Sequence, residues 1–316
     1  MRPAFCLGLW LTLLAAPLAT RLAAEEIQIP LPDATLQGTY LAAETPAALA
    51  MILPGSGPTD RNANSTQGLS TDAYRLLAEA LRTQGIATLR ADKRGIGQST
   101  GNPNAVSLGL YAQDAGHWID LAKDRSGQSC VWLIGHSEGG LVAFELARSR
   151  DDICGLVLLA APGRPISQIL LEQLRGVSAL AQHQQALEKA MISLIAGSPV
   201  PPEALPGPLS AIFAPPIQPF LMDLFAVDPA EQARTIDLPA LVVQGTADLQ
   251  MAEGDARTLA EALPQGTLYI VEGMTHTLKT AKDDTRPANL ATYSDPALPL
   301  SPGLAERIGA FILGPR

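Results

Sequence analysis

The chain has 316 residues, a formal net charge of −9, three cysteines and 4% aromatic residues. A surface this acidic, without a basic cluster, repels phosphates and excludes nucleic acid and anionic membranes as partners. The length suits one large α/β domain with an insertion, or two small domains, with a sizeable core in either case.

The start of the chain reads as a leader. Arg2 supplies a positive charge, Phe5 to Ala19 form an apolar run, and small residues continue to Ala24 before Glu25-Glu26. That is the pattern of a secretory signal peptide over 1–24, with the cut expected between Ala19 and Ala24. The run is shorter than the about 20 residues that span a bilayer, and no cysteine follows it to carry a lipid. No other stretch is long and apolar enough to cross a membrane, so no stable span is expected once the leader is removed; an uncleaved N-terminal anchor is the alternative. A cut after Ala24 leaves 292 residues and, with Arg2 and Arg21 lost, a net charge of −11. The expected location is exported, periplasmic or secreted. Cys130 and Cys154 stand at the starts of two apolar runs. Both a disulfide, which an oxidising compartment would permit, and two buried thiols stay open.

Short apolar runs then alternate with helical patterns. Strands are expected at 26–29 and 35–41, with Pro32-Asp33 in the turn, then at 49–53, 86–89, 131–134, 153–159, 240–243 and 268–271. Helices are expected at 71–83, 108–122, 252–263 and 304–313 from their apolar spacing. This alternation implies an α/β fold: a mostly parallel sheet with helices on both faces, whose ligands bind beyond the carboxyl ends of the strands. The core is expected over 25–162 and 236–316. Between them, 163–235 reads as a mainly helical insertion with Phe213, Ile217, Phe220, Leu221 and Phe225 in an apolar segment. A long loop over 279–302 is expected to rim the entrance.

The chemistry centres on Gly135-His136-Ser137-Glu138-Gly139-Gly140, directly after the 131–134 strand and before a helical pattern. Strand, abrupt turn and helix in this order expose a serine hydroxyl and aim the next N–H at a substrate oxygen. Ser137 is the candidate nucleophile. Of four histidines, His117 and His183 fall in helical stretches, and His136 is the elbow's variable residue, expected to point away from the hydroxyl. His276 alone lies in a loop past a core strand and is the candidate base. Asp248, past the preceding strand, is the carboxylate that would orient it; the rival, Asp255, falls within the next helix. The chain order Ser137, Asp248, His276 is the one used on this kind of sheet. The loop Gly55-Ser56-Gly57-Pro58 follows the 49–53 strand, and the backbone N–H groups of Ser56 and Glu138 are the candidate oxyanion donors. Asp60-Arg61 reads as a local ion pair holding that loop, and 90–99 as a structural turn. No Cys/His spacing fits a metal site, and no cofactor is implied.

Over nearly all of its mature length the chain resembles the α/β-hydrolase superfamily. More narrowly it is similar to bacterial carboxylesterases whose oxyanion loop reads Gly-Ser-Gly-Pro-x-Asp-Arg-Asp. Gly55 to Arg61 match that loop and Asn62 departs from it, removing a charge; Asp92 to Ser99 are similar to the superfamily's Asp-x-Arg-Gly-x-Gly-x-Ser turn. The resemblance implies a cap over the site at 163–235 and a serine carboxylesterase that takes small-molecule esters of small to medium acyl chains through an acyl-enzyme. Thioesterase, amidase or peptidase, and acyltransferase chemistry use the same residues and stay open, as does a catalytically silent binding protein. A haloalkane dehalogenase would want an aspartate at Ser137.

Overall fold

The computed structural model describes residues 24–315. The leader expected over 1–24 lies outside the described residues except for Ala24. The first strands, β1 (Glu25–Pro30) and β2 (Thr35–Leu41), form an antiparallel hairpin. β3 (Ala48–Leu53) follows, then a two-residue hairpin, β4 (Asn64–Ser65) and β5 (Leu69–Ser70). The chain continues through α1 (Ala73–Thr83), β6 (Ile86–Ala91), α2 (Leu108–Ser126), β7 (Val131–His136), α3 (Gly139–Ser149) and β8 (Ile153–Leu159). Next come only helices: α4 (Ile166–Arg175), α5 (Gln184–Ile195), α6 (Leu209–Ile212), α7 (Gln218–Phe225) and α8 (Pro229–Ala233). The core resumes with β9 (Ala240–Gly245), α9 (Glu253–Ala262), β10 (Gly266–Val271), α10 (Arg286–Ala291) and α11 (Leu304–Leu313).

Eight strands form one sheet in the order β1-β2-β6-β3-β7-β8-β9-β10. β2 runs antiparallel to β6, and every pairing from β6 to β10 is parallel. The central strands are apolar throughout because both faces are covered. Successive residues of β7 face opposite sides. Leu133 joins the core beneath α2 and α3 with Trp118 and Phe144, whereas Trp132 and Ile134 join the core beneath α1 and α11 with Tyr74, Leu77 and Ile308. Each such side chain contributes about 1.5–3 kcal/mol by leaving water.

The elements expected from periodicity are present, with differences of a few residues at their ends. The 86–89 strand extends to Ala91, and the 108–122 helix extends to Ser126, where Gly127 ends it at φ 70°. Two elements were not expected. The β4–β5 hairpin is too short for an alternating pattern. α10 lies within the 279–302 segment read as loop; its signal was Thr285, whose hydroxyl accepts from the Ala288 N–H, followed by a proline in the first turn. Cys130 and Cys154 are joined in a disulfide at the starts of the adjacent parallel strands β7 and β8, with their Cα atoms 5.3 Å apart.

Candidate active site

Ser137 ends β7 with φ 53°, a left-handed conformation that costs a non-glycine residue about 1–2 kcal/mol. The turn is held from both sides: the Ser137 N–H donates to Leu159 O at 2.9 Å, and Ser137 O accepts from the Gly140 N–H at 2.9 Å. It closes only because the flanking residues lack side chains. A Cβ on Gly135 would lie 2.6 Å from Gly139 O, and one on Gly139 would lie 2.8 Å from Pro54 O and would overlap Leu53 O. β3 therefore passes directly beneath the elbow, which brings the 55–58 loop beside Ser137. Helix α3 starts at Gly139, so its positive end also lies at the serine.

Asp248 and His276 meet. Asp248 Oδ2 accepts from His276 Nδ1 at 2.9 Å and from Gln244 Nε2 at 3.1 Å. Its Oδ1 accepts from the N–H groups of Gln250 at 2.7 Å and Met251 at 3.0 Å. Burial pushes the Asp248 carboxyl upward, but the charge and hydrogen bond of His276, with the two backbone donors, outweigh burial and hold it below the ordinary value. The pairing with Asp248 uses Nδ1 of His276 and not Nε2. Ser137, 5% exposed, and His276, 6% exposed, line the same cavity of about 120 Å³. No hydrogen bond joins Ser137 Oγ to the ring in this state; such contacts are often long until substrate binds. Asp255 is engaged elsewhere, with Arg164 at 3.0 Å and the Ala252 N–H at 3.2 Å. His117 is exposed on α2 and His183 sits in a turn of the insertion.

His136 points away from the serine hydroxyl toward other partners, which its place in the sequence does not reveal. Its Nδ1 lies 2.7 Å from the Tyr74 hydroxyl and its Nε2 lies 2.9 Å from the carbonyl oxygen of His276. The carbonyl can only accept, so Nε2 carries the proton and Tyr74 donates to Nδ1. The Tyr74 oxygen in turn accepts from the Gly55 N–H at 3.1 Å. One buried chain of hydrogen bonds thus runs from the 55–58 loop through α1 and the elbow to the loop of His276. The His136 and His276 rings lie 4.7 Å apart between centroids. Burial, then the nearby His276, pushes the His136 ring down to about 3, so it stays neutral.

The loop after β3 presents the N–H of Ser56. Neither this N–H nor that of Glu138 is engaged in a hydrogen bond within the described residues. The expected Asp60–Arg61 ion pair does not form. Asp60 accepts from the N–H groups of Asn62 at 2.8 Å and Asn64 at 2.9 Å, closing its own turn. Arg61 reaches instead to Asp92, to Glu26 at 2.6 Å and to Gln98 at 2.7 Å. Asp92 also accepts from the N–H groups of Arg61 at 2.7 Å and Gln98 at 2.9 Å. The 90–99 turn is structural, as expected, and it anchors the 55–61 loop.

A second cavity, of about 480 Å³, lies beneath the insertion. Its roof is apolar, with Ile166, Leu170, Phe220, Leu221 and Leu224, and Ser56 borders both cavities. Phe220 packs edge-on against Tyr111 of α2 at 5.8 Å, and the Leu108 N–H donates to Asp223 at 2.8 Å, so the insertion is docked on the core. In the 279–302 segment, Tyr293 lines the smaller cavity and accepts from Gln250 at 2.9 Å.

Two outcomes follow from the buried chain. Tyr74→Phe strands the Gly55 N–H and His136 Nδ1, and should lower stability by about 2–4 kcal/mol in chemical denaturation. Acid should also destabilise the fold through His136. Below the free-histidine value of 6.5 the unfolded chain takes up a proton that the folded ring refuses, so stability falls from about pH 6.5 toward pH 3. His136→Asn should flatten that part of the stability profile, measured by thermal melting against pH.

Residues 68–210 match the family model described as "Serine aminopeptidase, S33". The chain is 27% identical to the Esterase EstD of Thermotoga maritima over 212 residues, which are 66% of this chain and 48% of that protein. It thus spans about half the length of this curated relative. Among solved structures, the Pyrococcus furiosus esterase Pf2001 superposes with a TM-score of 0.59 at 16% identity, covering 99% of this chain and 100% of that one. Est1E from Butyrivibrio proteoclasticus with ferulic acid bound superposes at 0.56 and 19% identity, covering 84% and 94%. The sheet order, the elbow after β7, the helical insertion and these likenesses agree: the chain has the α/β-hydrolase fold.

Proposed function

We propose that this chain is an exported serine hydrolase that cleaves carboxylic esters of small to medium acyl chains through an acyl-enzyme. The observation that carries the reading is the Asp248–His276 pair opening onto the cavity that holds Ser137. His276 Nε2 takes the proton of Ser137, whose oxygen attacks the ester carbonyl. Asp248 holds the ring in the required tautomer and stabilises the imidazolium. The N–H groups of Ser56 and Glu138 receive the oxyanion. His276 returns the proton to the leaving alcohol, then draws one from water as the water releases the acid. The apolar roof of the larger cavity suits the hydrocarbon part of the substrate. Export is supported by the leader pattern and is consistent with the Cys130–Cys154 bridge.

Ser137→Ala, assayed against the parent on short- and medium-chain p-nitrophenyl esters, should reduce turnover by about 10⁴-fold or more. A fluorophosphonate probe should label Ser137 in the parent protein. Equal turnover by the two proteins, or labelling at another residue, overturns the mechanism. p-Nitroanilides of the same acids, hydrolysed faster than the esters, would move the assignment to amides.

The chain-length preference is open to a separate test. Leu221→Trp fills the cavity under the insertion and should shift the preferred acyl chain to shorter homologues, with kcat/KM for acetyl esters nearly unchanged. An unaltered profile across the series would remove that cavity from the substrate path.

A further inference from the structure

The 90–99 turn carries a buried lysine, Lys93. Lys93 Nζ donates to Gly55 O at 2.7 Å and lies 3.7 Å from Glu138 Oε1. Its side chain is 8% exposed and that of Glu138 is 1% exposed. Both Glu138 carboxylate oxygens are buried without a hydrogen-bond partner, so the lysine is the charge that balances them. Nζ also sits 5.3 Å from the centre of the Tyr111 ring.

The atoms that Lys93 touches are not arbitrary. Gly55 O and the Ser56 N–H belong to one peptide unit. In a trans peptide they point in opposite directions, and no cis peptide bond is present among the described residues. An ammonium holding the carbonyl from one side therefore fixes the N–H on the other, and polarises the unit so that the N–H becomes a stronger donor. Tyr74 holds the Gly55 N–H at the other end of the same residue. Glu138, the ion-pair partner, carries the second donor on its own backbone. Its carboxylate would repel an oxyanion forming nearby unless a cation stood beside it.

We propose that Lys93 is a positioning residue for the oxyanion hole: it clamps the Gly55–Ser56 peptide and neutralises Glu138, tying the two donor residues together. The proposal rests on the ester-hydrolase reading above and extends it to a residue outside the nucleophile, base, acid and oxyanion donors.

The test compares Lys93→Met, and the double variant Lys93→Met/Glu138→Gln, with the parent on p-nitrophenyl butyrate. The single variant leaves a buried carboxylate without its cation, which costs stability; the double variant removes both charges and keeps the comparison valid. Each folded variant should lose about 10- to 100-fold in kcat with KM within about threefold, less than deletion of an oxyanion donor costs. A long-chain trifluoromethyl ketone, which forms an anionic adduct with the serine, should lose affinity in parallel with kcat/KM. Parent-like kcat and parent-like ketone affinity in the double variant would overturn the clamp and leave Lys93 as charge balance alone. A parent protein inactive on all esters, or unlabelled at Ser137, would instead bring down the functional reading.

Discussion

The arrangement depends on the Tyr74 hydroxyl. It touches the loop after β3 and the elbow after β7 at once, accepting from the Gly55 N–H and donating to His136. His136 passes the constraint on by donating to the His276 carbonyl. Three loops at the carboxyl ends of three different strands are therefore fixed relative to one another by side chains that line the cavity. In an enzyme of the proposed kind, the nucleophile, base and oxyanion donors must be held to fractions of an ångström. Loops alone do not hold such tolerances. A buried chain in which every donor has one acceptor does, because any shift strands a polar atom out of reach of water.

A second set of contacts works through charge. Arg61 and Asp92 are both buried, and Arg94 bridges Asp114 at 2.7 Å and Asp33 at 2.7 Å. These pairs do little for net stability, since desolvation offsets most of the Coulomb gain. Their value is geometric: guanidinium forks fix direction as well as distance. They set the 90–99 turn rigidly against the first hairpin, and Lys93 projects from that turn onto Gly55. Asn62 fits the same frame. Its amide oxygen accepts from Arg90, which burial, then the charge of Arg61, pushes down to about 10. An aspartate in place of Asn62 would supply Arg90 with a full counter-charge. This chain uses a neutral acceptor, and the loop is closed around it.

What the sequence made legible was whatever the sheet's periodicity and local backbone needs dictate. Ser137, Asp248 and His276 each follow an apolar strand, so their place at one edge of the sheet could be inferred without knowing any contact between them. Gly135 and Gly139 were readable for the same reason: the elbow needs them wherever it occurs. Tyr74 was readable only as one of the apolar residues on the inner face of α1. Its hydroxyl matters through a partner 62 residues away, and helical spacing carries no information about that. Lys93 looked like one charge among several in a turn. The short hairpin and α10 were lost because two residues show no alternation and six residues span fewer than two helical turns.

The elbow explains why these hidden contacts are needed. The strained φ of Ser137 and the near-contact of Gly139 with the β3 backbone mean that the proposed nucleophile sits on a turn the chain would not adopt unaided. Packing of the covering helices on the faces of the sheet does not by itself hold the elbow, which stands at the carboxyl ends of the strands. Restraint has to come from the neighbouring loops, which are themselves unsupported by sheet pairing. Each must be tied to something rigid: α1 through Tyr74, the salt-bridged turn through Lys93, and β9 through Gln244, which donates to Asp248 at 3.1 Å. Tyr74 and Lys93 each border a cavity beside Ser56, so the ties stand next to the groups they position.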